Sequence, residues 1–309
     1  MSATVFIDGA VGTTGLEIRD RLSGRADFVL IALDEDRRKD AGARRAAIND
    51  ADFVILCLPD AAAREAVALI ANPRTRVVDA SSAHRVAAGW TYGFAELEAD
   101  QADRIAAARF VANPGCYPTG FLALVRPLVR AGLLPADALV TVNATSGYSG
   151  GGKAMIAAFE GGEARTAFRP YALSLDHKHV PEMTAHAGLT NAPIFQPAVA
   201  NTYRGMVVEV PMHSAQFVGR TAANDVRRVL AEAYAGCALV RVSHEPVASV
   251  QIEDDAGTDR MTLHVFANRA AGQVRLVATL DNLGKGAAGA AVQNLNIMAG
   301  LNATAGLTF

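Results

Sequence analysis

The chain has 309 residues, about twice the usual length of one domain, so we expect two domains or one large α/β unit. Apolar residues make up 51% and charged residues 19%, which is enough apolar material for a core and excludes wholesale disorder. The formal charge of −2 gives no reason to expect a nucleic acid or a membrane surface as partner. Three scattered cysteines, no signal peptide and no apolar run long enough to span a bilayer predict a reduced, cytoplasmic protein.

The first third of the chain alternates short apolar runs with helical patterns. The predicted strands are 4–8, 28–33, 53–58, 76–79 and 110–112, and the predicted helices are 14–22, 38–48 and 61–70. Continuous apolar runs are typical of parallel strands that are buried on both faces. This order predicts a Rossmann-type, doubly wound parallel sheet in an α/β domain.

The rest of the chain contains more sequence segments that are typical of strands. The predicted strands are 138–144, 194–202, 206–213, 238–242, 261–267 and 273–280, the predicted helices are 117–132, 221–234 and 287–301, and 145–153 is predicted as a glycine-rich loop. Long strands with few helices predict an α+β second domain with a mainly antiparallel sheet. We expect a dinucleotide-binding domain of 1–115 with 285–309, and a catalytic and oligomerisation domain of 116–284.

Glycines follow the first predicted strand. Gly9, Gly12 and Gly15 enclose Thr13 and Thr14, directly before a predicted helix. A turn of this kind lets backbone N–H groups approach a pyrophosphate at the positive end of a helix. The spacing is G-x-x-G-x-x-G rather than the standard G-x-G-x-x-G, so a plain strand-to-helix turn stays open as the alternative.

Charged residues follow the second predicted strand. Asp34 stands about where an acidic residue would hold a ribose 2′-hydroxyl and select NAD. Arg37, Arg38 and Lys39 come immediately after it and would suit a 2′-phosphate instead. A solvated, charged helix start is an equally good interpretation of this segment.

Cys116 lies in the text Asn-Pro-Gly-Cys-Tyr-Pro-Thr-Gly at 113–120. Asn-Pro-Gly is typical of a turn, and Pro118 suits the first turn of a helix, so Cys116 is predicted at a helix N-terminus after a strand. That position lowers the pKa of a thiol and makes it a nucleophile. Cys57 and Cys237 have no such setting and are interpreted as small buried apolar residues.

Two histidines, His177 and His179, lie two residues apart in the text DHKHVPEM at 176–183, with Glu182 three residues after the second. An imidazole can deprotonate a thiol and later protonate a departing oxygen, and a nearby carboxylate fixes its tautomer. H-x-H could also bind a metal, but no further ligands have convincing spacing, so we predict no metal. The remaining histidines are interpreted as surface or packing residues: His84, His186, His213, His244 and His264.

These segments resemble the N-acetyl-γ-glutamyl-phosphate reductase family, in its shorter variant, over nearly the whole chain. Six segments in order support the resemblance: GAVGTTG (9–15), DASSAHR (79–85), NPGCYPTG (113–120), TSGYSGGGK (145–153), DHKHVPEM (176–183) and DNLGKGAAGAAVQNLN (281–296). The wider superfamily includes aspartate-semialdehyde dehydrogenase. Two departures, Lys153 for an arginine and H-K-H for H-R-H, keep a cation but leave the fine phosphate geometry open.

The resemblance implies that Cys116 is the nucleophile and that His179 or His177 is the acid/base; we prefer His179 because it lies beside Pro181 and Glu182. The residues implied at the NADP(H) cofactor are Gly9, Gly12, Thr13, Thr14, Gly15, Arg37, Arg38, Ser81, Asn282, Gly284 and Lys285. Those implied at the substrate are Arg85, Asn113, Ser149, Gly150, Lys153 and Glu182. Sequence leaves open whether Ser149, Gly150 and Lys153 face the acyl phosphate or the cofactor phosphate.

The implied activity is NADPH-dependent reduction of N-acetyl-γ-glutamyl phosphate through a cysteine thioester, in arginine biosynthesis. The implied partners are the small acyl-phosphate substrate and further copies of the chain, as a dimer or tetramer. One alternative is aspartate-semialdehyde dehydrogenase or another acyl-phosphate reductase. A non-catalytic dinucleotide-binding protein is the other, and it is disfavoured because Cys116 and both histidines are present.

Overall fold

The computed structural model describes residues 2–219 and 223–309, which form two compact units. The first unit contains the residues up to Ala95, Asp100–Pro114 and Ala287–Leu307. The second contains Glu96–Ala99, Gly115–Gly286 and Thr308–Phe309. The chain therefore enters the second unit one residue before Cys116.

The first unit contains a parallel sheet. Its strands are β1 (Ala3–Asp8), β2 (Phe28–Ile31), β3 (Phe53–Leu56), β4 (Arg76–Asp79), β5 (Thr91–Tyr92) and β6 (Phe110–Ala112), and its helices up to Pro114 are α1 (Thr13–Leu22), α2 (Ala41–Asp50), α3 (Asp60–Ala68) and α4 (Gln101–Ala107). The order is β2-β1-β3-β4-β6-β5, and every pairing is parallel. The predicted doubly wound sheet is confirmed, although β5 and α4 were missed.

Two apolar clusters cover the faces of this sheet. Ile18 and Leu22 of α1 pack with alternate strand residues in one cluster. Ala47 and Ile48 of α2 pack with Ala63 of α3 in the other. All residues of β3 are buried, which explains why its sequence is a continuous apolar run rather than an alternation of apolar and polar residues.

The second unit contains a mixed sheet. Its strands are β7 (Thr141–Gly147), β8 (Phe168–Pro170), β9 (Ile194–Ala200), β10 (Met206–His213), β11 (Val240–Val242), β12 (Met261–Asn268) and β13 (Gln273–Leu280), and its helices are α5 (Cys116–Arg130), α6 (Gly152–Glu160), α7 (Val180–Ala187) and α8 (Ala223–Ala233). The order is β11-β12-β13-β10-β7-β9-β8. Only the β11–β12 and β7–β9 pairings are parallel, so the predicted, mainly antiparallel sheet is confirmed.

Helix α5 packs on β10 and β13 and also contacts α7 and α8. A glycine allows this close approach, because a Cβ at Gly120 would lie 2.7 Å from Cγ2 of Val208. Along β10 the buried residues alternate with more exposed ones, so this strand presents one face to the helix layer. Helix α5 thereby carries its first residue, Cys116, to a fixed place on the sheet.

The glycine-rich segment is not a continuous loop, so the prediction for 145–153 is wrong. Strand β7 continues to Gly147, a 3₁₀ turn spans Tyr148–Gly151, and α6 begins at Gly152. The residues after Gly152 read Lys-Ala-Met-Ile-Ala-Ala-Phe-Glu, which are mostly good helix formers, and they outweigh the glycines before them.

Two further helix predictions need correction at their ends. The predicted helix 221–234 corresponds to α8, and its first residues, Thr221 and Ala222, lie outside the described residues. The predicted helix 287–301 is a π-helical turn, Gly284–Ala288, followed by α9 (Gly289–Met298), whose apolar residues join the core of the first unit. Across 2–219 and 223–309, no helix combines the length and apolar character needed to cross a bilayer.

Candidate active site

The glycine turn of the first unit connects β1 to α1. Gly9 has a φ of +92°, and a Cβ there would lie 2.3 Å from the carbonyl oxygen of Cys57. A Cβ at Gly15 would lie 2.3 Å from the carbonyl oxygen of Gly9. Only glycine fits either position, and Gly12, as the N-cap, offers α1 no side-chain acceptor. The first N–H groups of α1 can therefore face an anion.

A buried hydroxyl lies beside this turn. The Oγ1 atom of Thr13 is buried and has no hydrogen-bond partner among the described residues. A buried polar atom without a partner is costly, and a ligand that supplies one removes the cost. The N-terminus of α1 and this hydroxyl therefore fit the pyrophosphate of a dinucleotide.

The charged residues after β2 form a turn. The carbonyl oxygen of Asp34 accepts hydrogen bonds from the backbone N–H groups of Arg37 and Arg38. The guanidinium of Arg38 lies 2.7 Å from Glu35, in a solvent-exposed pair that is worth little. The side chains of Arg37 and Lys39 are exposed, so this turn presents cations to solvent at the end of β2.

The side chain of Ser81 is hydrogen-bonded to the carboxylate of Asp79. Asp79, fully buried at the end of β4, accepts a hydrogen bond of 2.7 Å from Oγ of Ser81. The same carboxylate oxygen lies 2.6 Å from Nδ1 of His84, whose ring stacks on Trp90 at 4.1 Å. His84 is therefore a packing residue, as its sequence setting predicts.

Arg85 and Asn113 are also buried, and both hold backbone within the first unit. Nε of Arg85 donates to the carbonyl oxygen of Asn113 at 3.0 Å, and Nη2 donates to Ala80 at 3.2 Å. The amide of Asn113 donates to Ala287 at 3.0 Å and accepts from Asn294 at 3.0 Å. These contacts fix the position of the turn 80–85 relative to the end of β6.

Cys57 contributes no nucleophile. Burial raises the pKa of the Cys57 thiol to about 12, and the negative charges of Asp79 and Asp8 add to this shift. Cys237 in the second unit behaves alike, since burial and the Glu96 carboxylate raise its pKa, while Lys285 opposes them. Both thiols stay protonated near neutral pH, as expected of small apolar residues, although both residues are partly exposed rather than buried.

Cys116 begins α5, as predicted. The N-cap, Gly115, has extended backbone with φ −75° and ψ 150°, and it supplies no side-chain cap. Oε1 of Glu182, a residue that is 1% exposed, accepts a hydrogen bond of 2.8 Å from the N–H of Gly115. The Cys116 side chain, partly exposed, thus stands at the positive end of a fifteen-residue helix.

The two imidazoles lie together at the start of α7. His179 is its N-cap, and the rings of His177 and His179 are 4.7 Å apart between centroids. Nδ1 of His177 accepts from the backbone N–H of His179 at 3.2 Å, which places the proton of a neutral His177 ring on Nε2. The ring of Tyr117, the residue after Cys116, lies 6.5 Å from that of His177 and 5.9 Å from that of His179.

Two tyrosines complete this cluster, and sequence reasoning missed both. The hydroxyl of Tyr171 donates to that of Tyr117 at 3.3 Å, and Tyr117 donates to the carbonyl oxygen of Ala198 at 2.9 Å. Burial raises the pKa of Tyr171 to about 12, and the charge of Cys116 adds to this. Tyr117 could have been identified because it follows Cys116 directly in the sequence, whereas the sequence around Tyr171 contains no recognisable motif.

The glycine-rich segment after β7 is held in place by Asn282 and Ser149, which the resemblance assigned to the cofactor and the substrate respectively. Nδ2 of Asn282 donates to Oγ of Ser149 at 2.8 Å, and Oδ1 of Asn282 accepts from the N–H of Gly205 at 3.0 Å. Ser149 also bonds to the carbonyl oxygen of Tyr203. Both side chains are about 1% exposed, whereas Gly150 and Lys153 are exposed.

The segment 281–286 is likewise held by the protein itself. The N–H of Gly284 donates to Oδ1 of Asp281 at 2.8 Å, and a Cβ at Gly284 would lie 2.1 Å from the carbonyl oxygen of Thr258. Nζ of Lys285 lies 2.7 Å from Oε2 of Glu96, and the Lys285 side chain is 2% exposed. The predicted cofactor residues of this segment are thus buried within the second unit.

Comparisons with known proteins assign the class. The family model for the semialdehyde dehydrogenase dimerisation domain matches residues 116–282, and the model for the semialdehyde dehydrogenase NAD-binding domain matches 35–105. Aspartate semialdehyde dehydrogenase II from Vibrio cholerae, in complex with ASA, superposes with a TM-score of 0.75 at 16% identity, over 96% of this chain and 98% of that one. The chain therefore has the semialdehyde dehydrogenase fold.

Curated relatives narrow the class. N-acetyl-γ-glutamyl-phosphate reductase of Rhizobium leguminosarum is 50% identical over 307 residues, which cover 96% of this chain and 99% of the relative. That of Burkholderia lata is 52% identical over 305 residues, covering 96% of each. The chain belongs to the N-acetyl-γ-glutamyl-phosphate reductase family.

The three thiols should differ in their reactivity. With a pKa of about 12, Cys57 has on the order of 10⁻⁴ of its thiol ionised at pH 8, and burial disfavours the Cys237 thiolate too. We expect iodoacetamide to alkylate Cys116 first under native conditions, which peptide mass mapping over time will measure. Labelling of Cys57 at the same rate would contradict this assignment, and unfolded protein, in which all three should react alike, is the control.

Proposed function

We propose that this chain catalyses the NADPH-dependent reduction of N-acetyl-γ-glutamyl phosphate to N-acetylglutamate semialdehyde and phosphate, in cytoplasmic arginine biosynthesis. The names of its 50%-identical relatives support the substrate. The observation that carries the chemistry is the position of Cys116 at the N-terminus of α5, where the N-cap residue brings no side-chain acceptor. The N–H of that N-cap, Gly115, donates to Glu182, which lies in the first turn of α7 just after His179.

In the first step, the Cys116 thiolate attacks the acyl-phosphate carbonyl. A carbon–sulfur bond forms, the bond from carbon to the phosphate oxygen breaks, and phosphate leaves with that electron pair. His179 takes the thiol proton and gives it to the departing phosphate oxygen. The positive end of α5 stabilises the thiolate before the attack.

In the second step, the thioester on Cys116 is converted to the aldehyde. When bound, NADPH supplies the hydride that reduces the thioester carbon. The carbon–sulfur bond then breaks, and the Cys116 sulfur leaves with the electron pair because a thiolate is a good leaving group. His179 returns a proton to that sulfur from solvent, which restores the thiol for the next turnover.

The surrounding residues orient these groups. Tyr117 contacts both imidazoles with its ring while its hydroxyl is fixed by Ala198 and Tyr171. His177 is more exposed than His179, and it is proposed to contact substrate. Lys153, exposed in the first turn of α6, and Gly150 are proposed to face a phosphate group, while Ser149 and Asn282 fix the backbone that carries them.

For the cofactor, we propose the glycine turn 9–15 as the pyrophosphate site. Arg37, with Arg38 and Lys39, is proposed to receive the 2′-phosphate that distinguishes NADPH. Ser81 is proposed to line the nicotinamide or ribose end of the cofactor, and Arg85 is proposed to face the substrate. Both lie in the turn 80–85 after β4, where Ser81 bonds to Asp79 and Arg85 bonds to Asn113. The carboxyl ends of parallel strands are where such ligands bind.

A homo-oligomer, either a dimer or a tetramer, is proposed to form through the second unit. The family model that matches residues 116–282 is a dimerisation domain. Helix α5 covers one face of the sheet at β10 and β13. On the opposite side of these strands, Glu209, Pro211 and Arg275 are more exposed than their neighbours and offer polar and apolar groups to a second copy.

Replacing Cys116 by Ser should abolish reduction and leave NADPH binding nearly unchanged, because the thiolate makes the covalent bond while the glycine turn holds the cofactor. Steady-state turnover and NADPH fluorescence titration measure the two effects. Cys57→Ser serves as the matched control and should keep most of its activity. Retention of more than a few per cent of activity by Cys116→Ser would overturn the thioester mechanism.

His179 should matter more than His177 for the rate. Loss of a general acid/base costs about 10²–10⁴ in rate, and we expect His179→Asn to fall in this range and to lose the limb of the pH–rate profile near neutral pH. His177→Asn should mainly raise KM, since this ring is the more exposed of the two. Reversed effects in the pH–rate profiles would exchange the two roles, and wild-type profiles in both would exclude this segment as the base.

Replacing Arg37, Arg38 and Lys39 together by Ala should raise KM for NADPH and leave the use of NADH little changed. The cations gain charge-assisted contacts only with the 2′-phosphate, which NADH lacks. Arg45→Ala, which removes a solvent-exposed cation from α2, is the control for a general loss of charge. Equal effects of the triple substitution on both cofactors would contradict the assignment of the turn.

A further inference from the structure

A buried ion pair lies in the second unit and has no part in the chemistry above. Nζ of Lys285 and Oε2 of Glu96 are 2.7 Å apart, with side chains 2% and 9% exposed. Because taking two charges out of water is costly, such a pair is weak evidence for stability, and another role has to be sought.

Lys285 belongs to the π-helical turn Gly284–Ala288, which packs against the nucleophile. A Cβ at Gly286 would lie 2.8 Å from Cβ of Cys116 and 3.0 Å from the carbonyl oxygen of Asp281. The backbone of Gly286 is thus in direct contact with the Cys116 side chain. π-Helical turns are frequent at functional sites.

Glu96, the other partner, lies on a segment that is fastened to the helix of Cys116. Oε1 of Glu98 accepts from Arg126 at 2.5 Å and Oε2 accepts from Arg130 at 2.8 Å, and both arginines belong to α5. The carbonyl oxygen of Leu97 also accepts from Arg130, at 3.1 Å. The segment 96–98 therefore moves with α5, and Glu96 presents a fixed carboxylate to Lys285.

We infer that Glu96 and Lys285 are positioning residues for Cys116. The ion pair joins the π-helical turn to the segment 96–98, which is itself bonded to α5. The backbone of Gly286 therefore confines the Cys116 side chain to one direction at the helix N-terminus. This role rests on the proposed function, in which Cys116 is the nucleophile. It differs from the cofactor contact that the family resemblance implies for Lys285, because the ammonium group is held by Glu96.

Glu96→Gln, Lys285→Met and the double variant test this role in the full-length enzyme. Glu232→Gln is the matched control, because it makes the same change in a solvent-exposed ion pair with Arg228 within α8. We expect each single variant to lower kcat by about 10-fold or more, since a small misplacement of a reacting atom can cost 10²-fold, with KM for either substrate within about two-fold. Alkylation of Cys116 by iodoacetamide, measured without substrate or cofactor, should slow by about 5-fold.

The double variant separates positioning from stability. Neutral side chains of similar size often replace a buried ion pair without loss of stability, so its thermal midpoint should return close to that of the parent while kcat stays low. Recovery of kcat together with the thermal midpoint would reduce the pair to a structural role. A raised KM for NADPH in Lys285→Met, with alkylation at the parental rate, would instead assign Lys285 to the cofactor and overturn the inference.

The alkylation experiment distinguishes failure of this inference from failure of the proposed function. If Cys116→Ser stays active, the thioester mechanism is wrong whatever the ion pair does. If Cys116→Ser is inactive and Glu96→Gln alkylates and turns over like Glu232→Gln, the mechanism stands and the positioning role is overturned.

Discussion

One hydrogen bond, 2.8 Å long, joins the segment of Cys116 to the segment of His177 and His179. The N–H of Gly115 donates it to the carboxylate of Glu182, 67 residues further along the chain. A carboxylate that is 1% exposed must be bonded, and a hydrogen bond to a charged group contributes about 1.5–3 kcal/mol. Because Gly115 is the N-cap of α5 and His179 is the N-cap of α7, this bond fixes the starts of both helices together. The thiol and the imidazoles depend on it for their common position.

Elsewhere in the molecule, the polar side chains of the motifs bond to other groups of the protein, both side chains and backbone. Ser81 bonds to Asp79, Arg85 bonds to the carbonyl oxygens of Asn113 and Ala80, and Asn282 bonds to Ser149. A buried polar side chain whose hydrogen bonds are supplied by the protein stabilises one loop conformation over its alternatives. The motifs are therefore best explained as a framework that sets loop geometry, with the reacting atoms supplied by very few residues.

The fold was largely predictable, because continuous apolar runs and alternating runs report directly on strand burial. The position of Cys116 was predictable for a similar reason, since Asn-Pro-Gly before it and Pro118 after it are local signals of a helix start. Helix α6 was missed because three glycines before Lys153 suggested a loop, although good helix formers follow. Tyr171 and the partner of Lys285 could not be predicted, because Tyr171 bonds to Tyr117, and Glu96 bonds to Lys285, across sequence separations of 54 and 189 positions.

The three cysteines show how far the environment, and not the residue type, decides reactivity. Cys57 follows β3 in the direction of the chain, and Cys116 follows β6 after a short turn, so both stand after strands of the same parallel sheet. At Cys57 the neighbouring charges are the carboxylates of Asp79 and Asp8, which add to burial and raise the pKa to about 12. Cys116 is the first residue of α5, and the carboxylate that bonds to this helix start, Glu182, accepts a hydrogen bond from a backbone N–H. A glycine N-cap brings no acceptor of its own, so Gly115, unlike a serine or an aspartate, leaves the helix terminus to the side chain of Cys116, the proposed nucleophile.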